Sequence, residues 1–408
     1  MNAVPRVPPE PVDRFAPGTG SELSAELLPV VARVVERAGP GLEALLLSGS
    51  HATGEAVWVS FEGRRVSLSD VDLYALMRDE PAAARASASA SGIATAAERL
   101  AWGLLAPIEV AFVTLASLAR WPARPGTVEL ARSGRVVAGD PAVRARLPRW
   151  QPAQVSAEER LLLLENRAFE LLSAYFARLP MKATAAARWR AHNAVLKTAL
   201  DLAAARTLAH GELPAGAEAR VARARECGAP EGSPSWLAGA WDGLEPLWRE
   251  ALAWRQGGAR AVTDAACAES WRAVARAWCV AWWAEAPRGA GVDPWERALA
   301  LAARGSLARR VRRSLAFAPR QGPAPGMVDR VRHAAAGTPP QRIHGSAVVL
   351  LLAGAQAGGD EPRLPAGALR ALRALGVTSA ATFADAAQET FTAWDRQLQA
   401  GERSAERA

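Results

Sequence analysis

The chain is 408 residues long, 50% hydrophobic and 22% charged, with a formal net charge of +8. Such a composition excludes a disordered chain and leaves room for two or three domains. The positive charge is carried almost entirely by arginine in an alanine-rich sequence, a bias typical of GC-rich coding, so we do not expect a nucleic-acid partner.

The apolar and cysteine content argues against two further classes of protein. The longest apolar run, 347–353, is too short to span a bilayer, and the proline-rich segment 1–21 lacks a signal-peptide pattern and is predicted to be disordered. Cys227, Cys267 and Cys279 match no zinc or redox spacing, which is typical of buried thiols in a reducing compartment. We therefore expect a cytoplasmic protein without a membrane partner.

The first predicted elements are a helix over 22–38 and a buried strand at 45–47 that runs into a glycine-serine turn. The turn residues are Gly49 and Ser50. Glycine lets the backbone approach a phosphate closely, and serine adds a hydroxyl donor to the backbone N–H groups of the turn. The sequence therefore predicts that Gly49 and Ser50 bind a triphosphate.

Three carboxylates follow the turn on two predicted strands. Asp70 and Asp72 are two residues apart in one strand, so they share a face and lie about 7 Å apart at their Cα atoms. Glu109 stands in a second strand, over 107–113, on the face opposite an apolar row. Carboxylates this close together favour a bound cation, and magnesium prefers oxygen ligands. We therefore expect a magnesium site here.

The segments around these strands complete the first predicted domain. Residues 57–68 alternate in polarity about Glu62 and Gly63, a pattern that predicts a β-hairpin. The other predicted segments are a surface loop over 81–92, helices over 93–105 and 115–120, and a stretch over 128–141 with a short apolar pair and a Gly-Asp-Pro turn. The domain boundary is expected near Arg149.

These motifs resemble those of the nucleotidyltransferase superfamily of the DNA polymerase β type, including its minimal and aminoglycoside-modifying members. The resemblance is carried by Gly49-Ser50 with Ala52 and Gly54, by Ser69-Asp70-Val71-Asp72-Leu73, and by Glu109. It implies that Gly49 and Ser50 hold the triphosphate. It also implies that Asp70 and Asp72 bind two Mg²⁺ ions, and that Glu109 binds metal and helps to activate the acceptor hydroxyl.

The sequence leaves the roles of several further segments open. The hairpin over 57–68 lengthens the spacing that the family shows between the serine and the first aspartate, so it either shapes the acceptor site or marks a drifted enzyme. Lys197 either forms a surface pair with Asp201, four residues on, or faces the cleft and touches the nucleotide triphosphate. The arginine-rich run 304–313 is either a solvated face or a site for an acidic partner.

From residue 156 onward the sequence predicts long helices and almost no strand. Ser156 and Glu159 form a capping-box pair, and tryptophans at helical spacing indicate a buried core, with a sugar-stacking platform as the alternative. The predicted helices cover 156–175, 183–210, 236–255, 261–284, 295–315, 344–353, 365–375 and 380–398. The predicted organisation is a disordered N-terminus over 1–21, a catalytic domain over 22–149, a helical domain over 150–318, a proline- and glycine-rich loop over 319–342, and C-terminal helices over 343–408.

The expected fold is an α/β (α+β) nucleotidyltransferase catalytic domain with a small mixed sheet, followed by a larger all-α helical-bundle domain. The expected function is Mg²⁺-dependent transfer of a nucleoside monophosphate, AMP from ATP, to an acceptor hydroxyl on a small molecule or sugar. The alternatives are a protein AMP-transferase and a catalytically inactive nucleotide- or partner-binding module. The enzyme hypotheses require the three carboxylates to converge opposite the glycine-serine turn.

Overall fold

The computed structural model describes residues 20–89, 93–177, 184–257, 262–286, 293–304, 338–357, 364–378 and 382–405. Residues 1–19, most of the predicted loop over 319–342 and nearly all of the arginine-rich run 304–313 lie outside them. The described chain has a small mixed sheet in its N-terminal part and a mostly helical region after it. This confirms the predicted order of the two parts.

The N-terminal part contains six strands and six α-helices among the described residues. In chain order they are α1 (Gly20–Ala38), β1 (Leu42–Ser48), α2 (Gly49–Thr53), β2 (Trp58–Phe61), β3 (Arg64–Ser67), β4 (Val71–Met77), α3 (Glu80–Ser89), α4 (Ala96–Ala101), β5 (Ile108–Val113), α5 (Leu115–Ala119), α6 (Pro125–Ser133) and β6 (Arg135–Gly139).

The described part of the second region is helical. Its α-helices are α7 (Ala157–Ala177), α8 (Ala185–Ala209), α9 (Ala217–Cys227), α10 (Leu244–Arg255), α11 (Asp264–Glu285), α12 (Pro294–Ala302), α13 (Pro339–Gln356), α14 (Ala366–Leu375) and α15 (Phe383–Ala405). None of the described helices combines the length and the apolar composition needed to cross a membrane.

The main sheet has the strand order β5-β4-β1-β6. Strand β4 runs antiparallel to β1, with Ser48 opposite Asp72, and parallel to β5, with Asp72 opposite Glu109. The C-terminal end of β1 and the N-terminal ends of β4 and β5 therefore lie at the same end of the sheet. The glycine-serine turn and the predicted carboxylates lie at this end.

Apolar residues cover both faces of this sheet because β1 is apolar on both sides. Leu45 and Leu47 pack on one face with residues of α1 and α3. Leu46 packs on the other face with residues of α6 and the end of α8. A strand buried on both faces is expected to be a continuous apolar run, as β1 is.

The hairpin predicted over 57–68 is confirmed as β2 and β3. Glu62 and Gly63 have φ values of 50° and 76°, as a tight hairpin turn requires at both central positions. Val59 and Val66 are paired across the hairpin and belong to the core of the helical region, not to that of the sheet. The hairpin therefore joins the two parts of the chain.

The surface loop predicted over 81–92 is wrong where the chain is described. The residues form α3, in which Ala82, Ala83 and Ala86 are buried. Asp79 starts this helix, since its Oδ1 accepts a hydrogen bond of 2.8 Å from the backbone N–H of Ala82. An alanine-rich stretch behind such a cap favours a helix.

Several predicted helices begin or end at other residues than expected. The helix predicted over 295–315 ends at Ala302, and the helix predicted from His344 begins at Pro339, within the predicted loop over 319–342. The helix predicted over 93–105 is only α4, because Thr95 and Glu98 form a capping box at its start and Gly103 takes a φ of 76° after its end. The helix predicted from Trp236 begins at Leu244.

Buried tryptophans hold the helical region together, as the sequence predicts. Three of them donate a hydrogen bond from the indole N–H group to a carbonyl oxygen of another helix, which satisfies the polar edge of these rings. The three pairs are Trp248 with Ala199 at 2.8 Å, Trp271 with Leu171 at 2.6 Å, and Trp278 with Leu164 at 2.8 Å.

Candidate functional site

The glycine-serine turn lies directly against Asp72. Gly49 has a φ of +66°, a conformation that favours glycine. A Cβ atom built on Gly49 would lie 2.5 Å from Oδ2 of Asp72. Both the backbone conformation and this close approach therefore require glycine at this position.

The three predicted carboxylates line one cleft together with the turn. Asp72 and Glu109 are register partners on parallel strands, so their side chains leave the same face of the sheet. Asp70 was predicted inside the strand, and it lies one residue before β4 begins. With Gly49 and Ser50, these residues border a cleft of about 800 Å³ that reaches across to α7 and α8. This volume is in the range of small-molecule sites.

Asp72 lies next to other negative charges of the cleft. Its burial, followed by the negative charge of Asp70, raises its pKa to about 7. Lys197 lowers this pKa in part, and Glu109 raises it further. The pKa of Tyr74, two residues on, is raised to about 12 by burial and then by Asp72. The cleft face of β4 therefore has a negative potential.

Lys197 does not form the predicted surface pair with Asp201. Its Nζ donates to Oδ2 of Asp70 at 2.7 Å and lies 3.6 Å from Oε1 of Glu170. Asp201 is instead bound by Arg167, with Nε and Oδ2 2.6 Å apart. The polar stripe of α8, which consists of Asn193, Lys197 and Asp201, thus faces the cleft. This is what the interpretation of Lys197 as a triphosphate ligand requires.

The donor set suits a hard cation in its chemistry. Among the described residues, neither Asp72 nor Glu109 has a hydrogen-bonded or ion-paired partner, and carboxylate oxygens are the ligands that Mg²⁺ prefers. In the described part of the chain no three His, Cys, Asp or Glu side chains stand close enough together to hold a metal ion. Asp70 is held by Lys197, whose Nζ lies 2.7 Å from its Oδ2.

His51, in the short helix α2, contacts the segment that precedes Asp70. Its side chain is fully buried, and its Nε2 lies 3.2 Å from both the carbonyl oxygen of Ser69 and the hydroxyl of Ser67. Burial lowers the pKa of His51 to about 4, so the ring is neutral near pH 7. This places it in a structural position behind the cleft.

Besides Glu170, which lies near Lys197, sequence reasoning missed two carboxylates that border the cleft, Glu55 and Glu129. Glu55 accepts hydrogen bonds from the backbone N–H of Ala217 at 2.6 Å and from Nη1 of Arg255 at 3.2 Å. Glu129 on α6 lies 2.5 Å from Nη2 of Arg220. No local motif marks either residue, because their partners lie far away in the sequence.

Comparison of the chain with family models, with curated proteins and with solved structures finds no significant match. What the cleft binds therefore has to follow from its own residues.

Proposed function

We propose that this protein is a magnesium-dependent nucleotidyltransferase of the DNA polymerase β type, transferring AMP from ATP to an acceptor hydroxyl. The observation that carries the proposal is the contact between the glycine-serine turn and Asp72. It puts a phosphate-binding turn directly beside the carboxylates. Glu109, which is paired with Asp72 on the neighbouring strand, and Asp70, which precedes β4, complete the motif that the sequence resembles.

Each part of the cleft has a distinct role in this reaction. The backbone N–H groups of Gly49 and the hydroxyl of Ser50 bind the outer phosphates of the donor. Asp70, Asp72 and Glu109 would hold the magnesium ions. When bound, magnesium neutralises the triphosphate and lowers the pKa of the acceptor hydroxyl. The carboxylate of Glu109 orients that hydroxyl.

Lys197 supplies a mobile positive charge in the proposed mechanism. In the structure it pairs with Asp70 and partly offsets the repulsion that Asp70 exerts on Asp72. A donor triphosphate offers the ammonium group a second anionic partner in the same cleft. Lys197 then binds the phosphates and releases Asp70 for a cation.

The decisive experiment removes one carboxylate without changing its shape. Asp72→Asn should leave the thermal unfolding midpoint within a few degrees and abolish both Mg²⁺-dependent ATP binding in calorimetry and transfer of labelled AMP. Glu36→Gln is the matched control, since the Glu36 side chain is 78% exposed and lies outside the cleft. Retained transfer in the Asp72 variant would overturn the proposal.

Labelling of cell extracts separates the two enzyme hypotheses. Extract is incubated with the protein, Mg²⁺ and ATP labelled in its α-phosphate, and is then divided into protein and small-molecule fractions. Label that depends on the added protein and appears in a small molecule other than ATP, ADP and AMP supports the transferase proposed here. If the only such new labelled species are proteins, a protein AMP-transferase is supported instead.

The second candidate is a nucleotide-binding module without transfer activity. It is favoured by the ion pair between Lys197 and Asp70, which keeps one of the proposed metal ligands engaged. Such a module would bind ATP equally well with Mg²⁺ and with a chelator, whereas the enzyme binds ATP only with Mg²⁺.

A further inference from the structure

The strand order divides the cleft into two sides. Strand β4 lies between β1 and β5, so Asp72 separates the glycine-serine turn from Glu109. The proposed function, on which this inference rests, assigns the donor triphosphate to the turn. The acceptor therefore approaches from the β5 side.

The helical region covers the two sides with different helices. Glu55 links the turn side to the start of α9 and to Arg255 at the end of α10. Helix α15 contacts α3, which packs against β5, so α15 lies on the β5 side. Trp394 of α15 borders the cleft there.

Arg99 is the basic group that suits an anion on the β5 side. It precedes the segment 105–107, which leads into β5 and also borders the cleft. Its Nη1 donates to the carbonyl oxygen of Ala94 at 3.0 Å, while its Nε is buried without a hydrogen-bond partner. No carboxylate of the described residues pairs with it.

Most other basic side chains of the cleft are already neutralised. Each of these contacts a carboxylate: Arg167, Lys197, Arg220 and Arg255. Arg190 has no carboxylate partner among the described residues either, and it is exposed near the start of α8, where the neighbouring Trp189 contacts the hairpin. Arg99 is half-buried beside the segment that leads into β5, whereas Arg190 is exposed beside the hairpin, so Arg99 is the basic group on the acceptor side.

Trp394 adds an aromatic surface to the same side. Its ring stacks on Phe169 with the centroids 4.8 Å apart, and it remains partly exposed where it borders the cleft. A planar ring held rigidly in this way suits the apolar face of a sugar ring. We propose that Arg99 and Trp394 form the acceptor subsite, and that the acceptor is a sugar carrying a carboxylate or a phosphate.

The test measures binding of four sugars to the full chain with Mg²⁺ and a non-hydrolysable ATP analogue, by ligand-observed NMR. The probes are glucuronate, glucose 6-phosphate, glucose and glucosamine. At least one of the two anionic sugars should bind tenfold or more tightly than glucose, and glucosamine should bind most weakly. The better of the two identifies the anionic group. Failure of both anions to exceed glucose overturns the proposal.

Variants assign the preference to residues. Arg99→Gln should weaken binding of the anionic sugar at least tenfold and Arg99→Lys should restore part of it, while the matched Arg190→Gln should have no effect. Trp394→Ala should weaken charged and neutral sugars by the same factor. An unchanged preference in Arg99→Gln, or an equal loss in Arg190→Gln, overturns the assignment.

Calorimetry with Mg²⁺ and ATP separates this inference from the proposed function. Arg99→Gln should bind ATP as the unmodified protein does, because Arg99 lies on the acceptor side. If the unmodified protein binds no ATP, the proposed function fails whatever the sugars do. If ATP binds and the sugar preference is absent, only the acceptor subsite is wrong.

Discussion

Replacing Gly49 by alanine tests whether the glycine-serine turn and Asp72 act as one unit. A left-handed conformation costs a non-glycine residue about 1–2 kcal/mol, and Gly49 has a φ of +66°. The added Cβ would lie 2.5 Å from Oδ2 of Asp72, so the carboxylate has to move by roughly 1 Å to reach ordinary contact distance. A displacement of about 1 Å in an active site costs on the order of 10²-fold in rate.

Gly63→Ala is the matched control for the backbone cost. Gly63 has a φ of +76°, and nothing lies within 4 Å of a Cβ built on it. Both variants should therefore lower the thermal unfolding midpoint through the backbone, and Gly49→Ala should lower it further because its Cβ displaces Asp72. Only Gly49→Ala should lower the affinity for ATP with Mg²⁺ in calorimetry and reduce transfer by about 10²-fold.

Two results would refute the reasoning about Gly49. If Gly49→Ala binds ATP with Mg²⁺ as tightly as the unmodified protein, the contact with Asp72 does not matter for the donor. If Gly63→Ala loses ATP to the same extent, the loss comes from general destabilisation and carries no information on the turn.

Three further predictions concern the residues around the cleft. Lys197→Met should bind Mg²⁺ alone several-fold more tightly in calorimetry, because Asp70 loses its ammonium partner. The same variant should bind ATP with Mg²⁺ more weakly. Unchanged affinities would contradict the proposed transfer of Lys197 from Asp70 to the triphosphate. His51 has a pKa of about 4 in the folded protein and of 6.5 in the unfolded chain, so the unfolded chain takes up the proton first as the pH falls. The contribution of His51 to the free energy of unfolding should therefore fall by about 1.4 kcal/mol per pH unit as the pH drops between these values, opposite in sign to the contribution of Asp72. It is measured as the difference between the unmodified protein and His51→Gln in urea titrations. Glu55→Ala leaves the N–H of Ala217 without its acceptor and should cost about 1–3 kcal/mol in the same titrations, while Glu36→Gln should cost nothing measurable.

The part of the site at the strand ends was predictable, because each of its residues is marked by a short local sequence pattern. Gly49, Asp72 and Glu109 are each read from a short apolar run with a polar interruption, and neighbouring strands in register bring such residues together. The sequence also predicted the hairpin, from the alternation on both sides of Glu62 and Gly63, and Gly63 supplies a residue that tolerates the positive φ of the turn.

The opposite wall of the cleft could not be predicted in the same way. Lys197 and Asp70 are 127 residues apart, and the sequence offered Asp201 as a nearer partner for the lysine. The packing of α7 beside α8 decides the outcome, since it gives Asp201 to Arg167. Helical periodicity shows which residues share a stripe, but it does not show which surface the stripe faces.

The missed helix α3 has a different cause. Its alanines and serines were interpreted as a loop, although Asp79 stands where an N-terminal cap belongs and Pro81 is well placed in a first turn. The signal was therefore present in the sequence. An alanine- and serine-rich composition alone does not distinguish a loop from a helix, whereas alanine favours a helix once a capping residue precedes it.

The inserted hairpin limits how the cleft can open. Val59 and Val66 are 3% and 0% exposed and belong to the core of the helical region, although the chain runs from this hairpin directly into β4. Swinging the sheet away from α8 would expose both side chains, at about 1.5–3 kcal/mol each. Asn193 adds a hydrogen bond of 3.3 Å from its Nδ2 to the carbonyl oxygen of Leu68. Exchange of side-chain partners, as at Lys197, costs less than a hinge motion and is therefore the expected route to an occupied site.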